Sequence, residues 1–252
     1  MLQTIEIMRK KLFLVLVYVL PLFSFIYSQN HNYEWSKSEG GSSSDFSFCV
    51  TSDINGNVYT IGIFEGTVDF DPGIGTIELS SNGISDIFIQ KLNSSGELLW
   101  VKQIGGALAD YGYSIVTDDL GNVYTTGNFH DSVDFDPGIG SNILIANGAQ
   151  IEEDIFIQKL DSEGNFIWVK QIGGILRDTG NSIDIDEAGN IYVTGVFSDQ
   201  VDFDPGIGTS LFVSNGESDI FVLKLDNNGN LIWAKQMGGT LEDQGRCVSV
   251  DH

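Results

Sequence analysis

The sequence is poor in residues on which several classes of protein depend. Only two of its 252 residues are cysteine, three are histidine and four are proline. Exported proteins can form disulfides, so a bond between the two cysteines has to be considered. The histidines, His31, His130 and His252, are isolated from one another, and none recurs in a motif. The sequence therefore shows neither a catalytic triad nor a histidine-based zinc site.

Basic residues are also scarce, with 12 Lys and Arg against 35 Asp and Glu, and the formal net charge is -23. Phosphate binding depends on clustered Lys and Arg, so this balance argues against nucleic acid and anionic membranes as partners. A strongly acidic surface keeps a protein soluble and is compatible with cation binding.

Long amphipathic helical patterns are absent after residue 30, whereas 30 glycines and 11% aromatic residues are present. This combination favours many strands joined by tight turns. We therefore predict an all-β fold.

The first 28 residues have the pattern of a secretory signal peptide. Arg9, Lys10 and Lys11 precede an apolar run over residues 12–27, and Ser28 is a small residue at the cleavage position. The apolar run is shorter than the about 20 residues that a membrane-spanning helix needs. We predict cleavage after Ser28, no membrane insertion of residues 29–252, and a secreted, extracellular or cell-surface location.

Four tryptophans mark an internal repeat. Trp100 and Trp168 both begin the sequence WVKQIGG, Trp233 begins WAKQMGG, and Trp35 begins the degraded version WSKSEGG. The spacings are 65, 68 and 65 residues. Four more motifs recur in phase: Gly-Asn-(Val/Ile)-Tyr at 56–59, 121–124 and 189–192; Val-Asp-Phe-Asp-Pro-Gly-Ile-Gly at 68–75, 133–140 and 201–208; Asp-Ile-Phe at 86–88, 154–156 and 219–221; Lys-Leu-(Asn/Asp) at 91–93, 159–161 and 224–226. Such regularity indicates a repeat architecture.

Each repeat predicts four antiparallel strands. In the second copy, residues 113–118 and 123–129 form one hairpin, and residues 154–160 and 165–172 form another. Four such strands in sequence make one propeller blade. Residues 132–150 are an insert, predicted to be a small extra hairpin or an extended loop. The tryptophan rings are expected to fill the space between neighbouring blades.

The order of these motifs resembles the SBBP β-propeller repeats of secreted bacterial proteins. The resemblance covers residues 35–252, and the degraded sequence after Trp35 departs from it. It implies an extracellular or cell-surface propeller, often inside a longer multidomain chain, and it brings no catalytic residues with it.

The repeat units start near the four tryptophans, and the last unit is truncated. A closed propeller takes about four blades or more, and about three are complete here. We therefore predict an incomplete, open propeller fragment built of four-stranded antiparallel blades with a small insert, and further propeller units in a longer chain.

The two cysteines, Cys49 and Cys247, occupy the same place in the first and last repeats, where the middle copies have Ser114 and Ser182. A position that accepts Ser or Cys is predicted to be small and partly buried. Equivalent positions in distant blades do not approach the roughly 5.5 Å between Cα atoms that a disulfide needs. We expect two free thiols.

The candidate metal-binding residues are three aspartate pairs in the insert. They are Asp69 and Asp71, Asp134 and Asp136, and Asp202 and Asp204. In an extended chain, residues two apart share a face, so each pair presents two carboxylates beside a Pro-Gly turn. Calcium is the candidate ion, although one pair supplies too few of the about six to eight oxygens that it takes. The alternative is structural: the second Asp accepts N–H bonds from its own turn, and the first lies on a solvated face.

The leading hypothesis for function is a secreted scaffold or binding module for a protein or glycan, without catalysis and without a required cofactor. One alternative is a polysaccharide-acting propeller enzyme, which needs two carboxyls about 5–10 Å apart in one asymmetric site. The Asp pairs recur in every repeat, and the carboxylates nearest to an asymmetric site are Glu152 and Glu153, in the second insert. Another alternative is a calcium-stabilised adhesion module.

Overall fold

The computed structural model describes residues 34–38, 40–149 and 152–251. The predicted signal peptide over residues 1–28 lies outside these residues. Within them, the regular secondary structure consists of strands. No helix in the described part of the chain is long and apolar enough to cross a membrane.

Three blades follow one another along the chain, with six strands each. Blade 1 contains β1 (Asp45–Ser52), β2 (Val58–Phe64), β3 (Thr67–Asp69), β4 (Glu78–Ser80), β5 (Asp86–Leu92) and β6 (Leu98–Ile104). Blade 2 contains β7 (Tyr111–Thr117), β8 (Val123–His130), β9 (Ser132–Asp134), β10 (Ile143–Ile145), β11 (Glu153–Leu160) and β12 (Phe166–Ile172). Blade 3 contains β13 (Thr179–Ile185), β14 (Ile191–Phe197), β15 (Gln200–Asp202), β16 (Leu211–Val213), β17 (Asp219–Leu225) and β18 (Leu231–Met237).

Four strands of each blade form one antiparallel sheet, in the orders β1-β2-β5-β6, β7-β8-β11-β12 and β13-β14-β17-β18. The other two strands pair as a separate small hairpin, which is the insert. The four-stranded blade and the extra hairpin are therefore confirmed. The three sheets form an open propeller fragment, as predicted.

Turn chemistry fixes the register of each inner hairpin. Asp118 Oδ1 accepts hydrogen bonds from the backbone N–H groups of Leu120 and Asn122 at 3.0 and 2.8 Å. Gly121 has a φ of 77°, in the left-handed region that glycine adopts without steric cost. The hydroxyl of Tyr124 donates to Asp118 Oδ2 at 3.1 Å, which ties the turn to the following strand. The Gly-Asn-(Val/Ile)-Tyr motif is thus a turn-and-strand unit.

Much of the hydrophobic core lies between blades. β1 packs beside β7, and β7 beside β13, so the first strand of each blade is innermost. One buried cluster joins Tyr59, Ile61 and Ile89 of blade 1 to Phe129 and Phe156 of blade 2. At roughly 25 cal/mol per Å² of apolar surface removed from water, such shared burial holds successive blades together.

Trp100 packs between blades, as predicted for the tryptophans. Trp100, on the outermost strand β6, is partly buried against the cluster that blades 1 and 2 share. Its Nε1–H donates to the carbonyl oxygen of Ser162 in blade 2 at 3.1 Å. A Cβ atom on Gly164 would lie 3.2 Å from the Trp100 ring, so glycine at this turn also makes room for it.

The cysteine position joins the inner strands. Ser114 Oγ accepts a hydrogen bond from the backbone N–H of Ile183 in the next blade at 3.2 Å. Cys49 and Cys247 are free, as expected. Cys49 is half-buried, but Cys247 is exposed rather than partly buried, because no following blade among the described residues covers it.

Candidate ligand-binding cleft on the inner strands

The predicted aspartate pairs lie at the tip of each small hairpin, and both members accept backbone hydrogen bonds there. Asp134 Oδ1 accepts from the N–H groups of Asp136 and Asn142 at 3.1 and 2.7 Å. Asp136 Oδ1 accepts from Gly138 N–H at 2.8 Å. The copies in blades 1 and 3 make the same bonds. The carboxylates therefore close their own loops.

The hydrogen bonds of Asp134 also affect its ionisation. Burial raises its pKa, but the N–H bonds from Asn142 and Asp136 outweigh burial and hold the pKa below its usual value. In the part of the chain that the structure describes, no group of three or more His, Cys, Asp or Glu side chains is placed to hold a metal ion. Calcium binding by the aspartate pairs stays a prediction.

A different set of residues lies on the innermost strands. Each of these strands contains a β-bulge at the same repeat position, where one residue is left out of the pairing with the second strand. The residues left out are Phe48 in β1, Tyr113 in β7 and Asn181 in β13. The fourth copy has Arg246 at this position, in a segment whose Val248 N–H bonds to β13. A bulge redirects a side chain without changing the rest of the strand.

The bulge residues differ from copy to copy, although the motifs around them are nearly invariant. The position two residues earlier also varies, with Phe46, Tyr111, Thr179 and Gln244 in the four copies. In a repeat protein, variable positions that cluster on one side of a constant framework are the natural place for a binding surface.

Blades 1 and 2 contribute aromatic rings, which we call the aromatic wall. Phe46 and Phe48 stack with centroids 6.4 Å apart. Phe48 meets Tyr113 edge to face at 5.2 Å, and Tyr113 stacks on Tyr111 at 5.8 Å. Phe46 is 54% exposed and Phe48 is 44% exposed. Four contacting aromatic side chains thus form one continuous, solvent-accessible row.

Blade 3 and the fourth copy contribute polar side chains, which we call the polar wall. It consists of Thr179, Asn181, Gln244 and Arg246. The Asn181 side-chain amide donates to the carbonyl oxygen of Gly245 at 2.8 Å, so its position is fixed. Phe48 and Tyr113 of the aromatic wall line a cleft of about 680 Å³ together with these four residues, with Arg177 and with the carboxylates of Glu217 and Glu242. We call this space the inner cleft.

A buried glutamate contacts two residues of the inner cleft, Arg177 and Thr179. Glu153 is 6% exposed. Its Oε1 contacts the Arg177 guanidinium and accepts from the Thr179 hydroxyl at 3.3 Å, and its Oε2 lies 3.6 Å from His130 Nε2. Burial, together with the nearby Glu153 charge, raises the pKa of Tyr113 to about 12, so this phenol stays neutral. Glu153 is thus a fixed anchor for three polar side chains.

The cluster around Glu153 occurs at one blade junction only. The residues that take the place of Glu153 in the other blades are Ser85 and Ser218, and Arg177 corresponds to Ala109 and Glu242. Blade 2 also carries Asn128, which is fully buried and whose side-chain amide makes no hydrogen bond. The structure therefore breaks the symmetry of the repeat where blades 2 and 3 meet.

The sequence analysis named Glu152 and Glu153 but missed their surroundings. Both line a second cavity of about 420 Å³, which also contains His130 and Arg177. His130 was expected to be isolated, and in sequence it is, but β8 and β11 pair it directly with Glu153.

Another set of functional carboxylates was missed because it forms the blade junctions. Gly174 N–H donates to Asp178 Oδ2 at 2.6 Å, and Ser198 N–H donates to its Oδ1 at 3.0 Å. Asp110 makes the equivalent bonds one blade earlier. The sequence signal is Gly-Gly followed four residues later by Asp, which recurs in all four copies. We call this motif the junction latch.

The geometry above defines an open β-propeller fragment with one asymmetric cleft, and sequence comparison agrees with it. A family model described as the SBBP β-propeller repeat matches residues 99–128 and 167–196. Each match runs from the outer strand of one blade to the second strand of the next and includes a junction latch. The chain therefore carries SBBP β-propeller repeats, as the resemblance predicted.

The chain is also similar to an uncharacterized WD repeat-containing protein of Acanthamoeba polyphaga mimivirus. The two are 26% identical over 248 residues, which is 86% of this chain and 18% of the relative. The chain thus spans about a fifth of the length of that relative. The match supports a propeller scaffold.

Proposed function

We propose that this chain is a secreted or cell-surface propeller scaffold that binds a ligand in the inner cleft and does not catalyse a reaction. One observation carries the proposal. The residues that build the blades repeat almost unchanged, whereas the residues that face the inner cleft differ in every copy. Strand pairing does not constrain these side chains, because each bulge residue is left out of the ladder, so they are free to contact a ligand.

The composition of the cleft supports binding. Ligand sites combine an apolar or aromatic lining with a few fixed polar groups. Here Phe48 and Tyr113 of the aromatic wall supply the apolar lining, and Asn181 and Arg177 are polar groups whose positions other side chains or the backbone hold. The cleft volume of about 680 Å³ lies in the range of ligand pockets.

The arrangement around Glu153 fits binding better than hydrolysis. Glycoside hydrolysis uses a pair of carboxyls that are free to act as acid and base or nucleophile. Both oxygens of Glu153 are engaged by neighbouring side chains. Its role in the proposal is to orient Arg177 and Thr179 at the mouth of the cleft.

The test uses fluorescently labelled full chain and intact cells of the producing organism. We expect the wild type to bind the cells and the double variant Phe48→Ser, Tyr113→Ser to lose at least tenfold in affinity. The matched control is Leu120→Ser, since Leu120 is 81% exposed in a turn and does not line the cleft. Equal binding by all three proteins, with unchanged melting temperatures, contradicts the proposal.

A further inference from the structure

We propose that the outward faces of the insert hairpins of blades 2 and 3 bind a basic polypeptide that carries apolar side chains between its lysines or arginines. We call this area the rim surface, and it consists of Ile139, Ile143, Ile145, Ile207, Leu211 and Val213. None of these six residues lines the inner cleft. The inference therefore goes beyond the proposed function and is tested separately from it.

The two hairpins present aliphatic side chains to solvent. In blade 2, Val133 of β9 faces the core, so β10 turns its first and third residues, Ile143 and Ile145, outward. Ile143 is 60% exposed and Ile145 is 64% exposed. The same two places in blade 3 hold Leu211 and Val213, which are 50% and 52% exposed. Neighbouring hairpins that both expose apolar side chains mark an interaction surface.

The hairpin tips add one isoleucine each. Asp136 Oδ1 accepts a hydrogen bond from Gly138 N–H at 2.8 Å, which closes the tip and holds Ile139 out in solvent. Ile139 is 110% exposed, and Ile207 at the same position in blade 3 is 109% exposed. Isoleucine recurs in all three copies of this turn, although burial in the fold does not account for it. An apolar side chain so placed is available to a partner.

The hairpins are held in place by their own blades. Gln171 on the outer strand β12 donates from Nε2 to the carbonyl oxygen of Ile145 at 2.8 Å. Gln236 on β18 makes the equivalent bond to Val213 at 2.7 Å. On the other face of the blade 2 hairpin, Val133 is fully buried. A surface that is already fixed loses less conformational entropy when a partner binds.

A groove of about 340 Å³ lies between the two hairpins. Blade 2 contributes Ile145 to its lining, and the tip of the blade 3 hairpin contributes Asp202, Asp204 and Pro205. A lysine or arginine side chain fits such a groove, because its alkyl stem packs on apolar surface while its head stays polar. Among the described residues, backbone N–H groups of the loop occupy Oδ1 of Asp202 and of Asp204, so each Oδ2 remains for a cation.

The charge of the hairpins also favours a basic partner. Residues 131–149 and 199–216, which contain both hairpins, include six aspartates and no lysine or arginine. Complementary charge speeds association and excludes wrong partners. The same charge repels an anionic membrane, and a net charge of -23 repels a second copy of the chain. A basic polypeptide with apolar side chains is the occupant that suits both the charge and the aliphatic surface.

Blade 1 supplies a substitution that this hairpin accepts. Its strand β4 has Ser80 at the place that Ile145 occupies in β10. Ile145→Ser therefore removes the apolar wall of the groove and introduces a residue that the repeat already uses there. The matched control is Ile54→Ser. Ile54 is 86% exposed in the turn from β1 to β2, at the end of the blade opposite the insert hairpins.

The test is fluorescence anisotropy of a labelled dodecapeptide of alternating arginine and leucine, titrated with the full chain. We expect the wild type and Ile54→Ser to bind it equally, and Ile145→Ser to bind it at least fivefold more weakly with an unchanged melting temperature. A peptide with citrulline in place of arginine keeps the side-chain shape without the charge, and it should bind at least tenfold more weakly. The double variant Phe48→Ser, Tyr113→Ser should bind the arginine peptide like the wild type, which separates this surface from the inner cleft.

Equal binding by the wild type and Ile145→Ser, or of the arginine and citrulline peptides, overturns the proposal. Two other results assign the rim surface to a different occupant and overturn it as well. One is self-association of the wild type in analytical ultracentrifugation that Ile145→Ser abolishes. The other is attachment to phosphatidylcholine vesicles that depends on Ile145 while the arginine peptide does not bind.

Discussion

The indole Nε1–H of Trp35 donates to the carbonyl oxygen of Ser94 at 3.0 Å. The bond is equivalent to the one that Trp100 makes to Ser162 across the junction of blades 1 and 2. Gly41 continues the equivalence, because its N–H donates to Asp45 at 2.7 Å in a junction latch. The segment that starts at Trp35 thus docks on blade 1 as the outer strand of a preceding blade would, despite its degraded sequence.

This docking predicts that the inter-blade tryptophans contribute to stability. Trp100→Ala removes partly buried ring surface and the bond to Ser162, so we expect the free energy of unfolding to fall by about 3 kcal/mol. Trp233 is the matched control: its ring meets Tyr192 of its own blade at 6.2 Å, as the Trp100 ring meets Tyr59 at 6.1 Å, but no carbonyl of a next blade among the described residues accepts from its indole. Urea denaturation should show a smaller loss for Trp233→Ala. Equal losses would mean that inter-blade packing is not the cause.

Alanine at the second glycine of the junction latch is expected to clash in one copy of the repeat and not in another. A Cβ atom on Gly174 would lie 2.4 Å from the carbonyl oxygen of Gln200 in the next blade. A Cβ atom on Gly239 would have its nearest neighbour 3.7 Å away, which is Oδ2 of Asp243. We expect Gly174→Ala to cost about 1–3 kcal/mol and Gly239→Ala to be nearly neutral. The melting temperatures of the two variants check this, and similar values for both would contradict it.

The latch carboxylates predict a dependence of stability on pH. Burial raises the pKa of Asp110 to about 7 and that of Asp178 to about 8, against the partial opposition of their backbone N–H bonds. The unfolded value is about 3.9. The folded state therefore binds more protons between these values, and the free energy of unfolding falls as pH rises from about 5 to about 8.

The measurement for this prediction is urea denaturation at pH 5, 6, 7 and 8. We expect a loss of at least about 1 kcal/mol per group over that range. Asp178→Asn should reduce the dependence by the share of one group, since Asp110 remains, whereas Asp119→Asn, at an exposed turn, should leave it as in the wild type. A wild-type curve that is flat or rises from pH 5 to pH 8 would refute the assignment.

The aspartate pairs predict stability without calcium. The carboxylates of Asp134 and Asp136 both already accept hydrogen bonds from backbone N–H groups of their own loop. We expect EDTA to leave the melting temperature unchanged, and Asp134→Ala to cost about 1–2 kcal/mol through its two lost bonds. A rise in melting temperature on adding calcium to the wild type, absent in Asp134→Ala, would instead support the metal site.

The blade was predictable from the sequence because its determinants are local. The turn around Asp118, the alternation in β11 and the Trp strand each lie within a few residues, so motif spacing alone locates them. The insert hairpin was predictable for the same reason. The exposure of Cys247 was not, since burial at that position comes from a neighbouring blade.

The cluster around Glu153 was not predictable because its members come from separate blades. His130, Glu153 and Arg177 lie on two strands and a loop, and only the pairing of β8 with β11 and the packing of blade 3 bring them together. The bulges are also invisible in motif spacing, because every copy has the same extra residue. Sequence variation at Tyr113 and Asn181 was the available signal, since constant motifs surround them.

The bulge on each inner strand assigns stability and ligand recognition to different residues, although many proteins use the same residues for both. The paired residues of β7 decide whether the blade folds, while Tyr113 has no partner in the sheet to satisfy. A change at the bulge can therefore alter what the cleft recognises at little cost in stability. Duplicating a blade also duplicates its bulge position, which can then change without disturbing the sheet. A family of such chains can therefore acquire new ligands through single substitutions at the bulges.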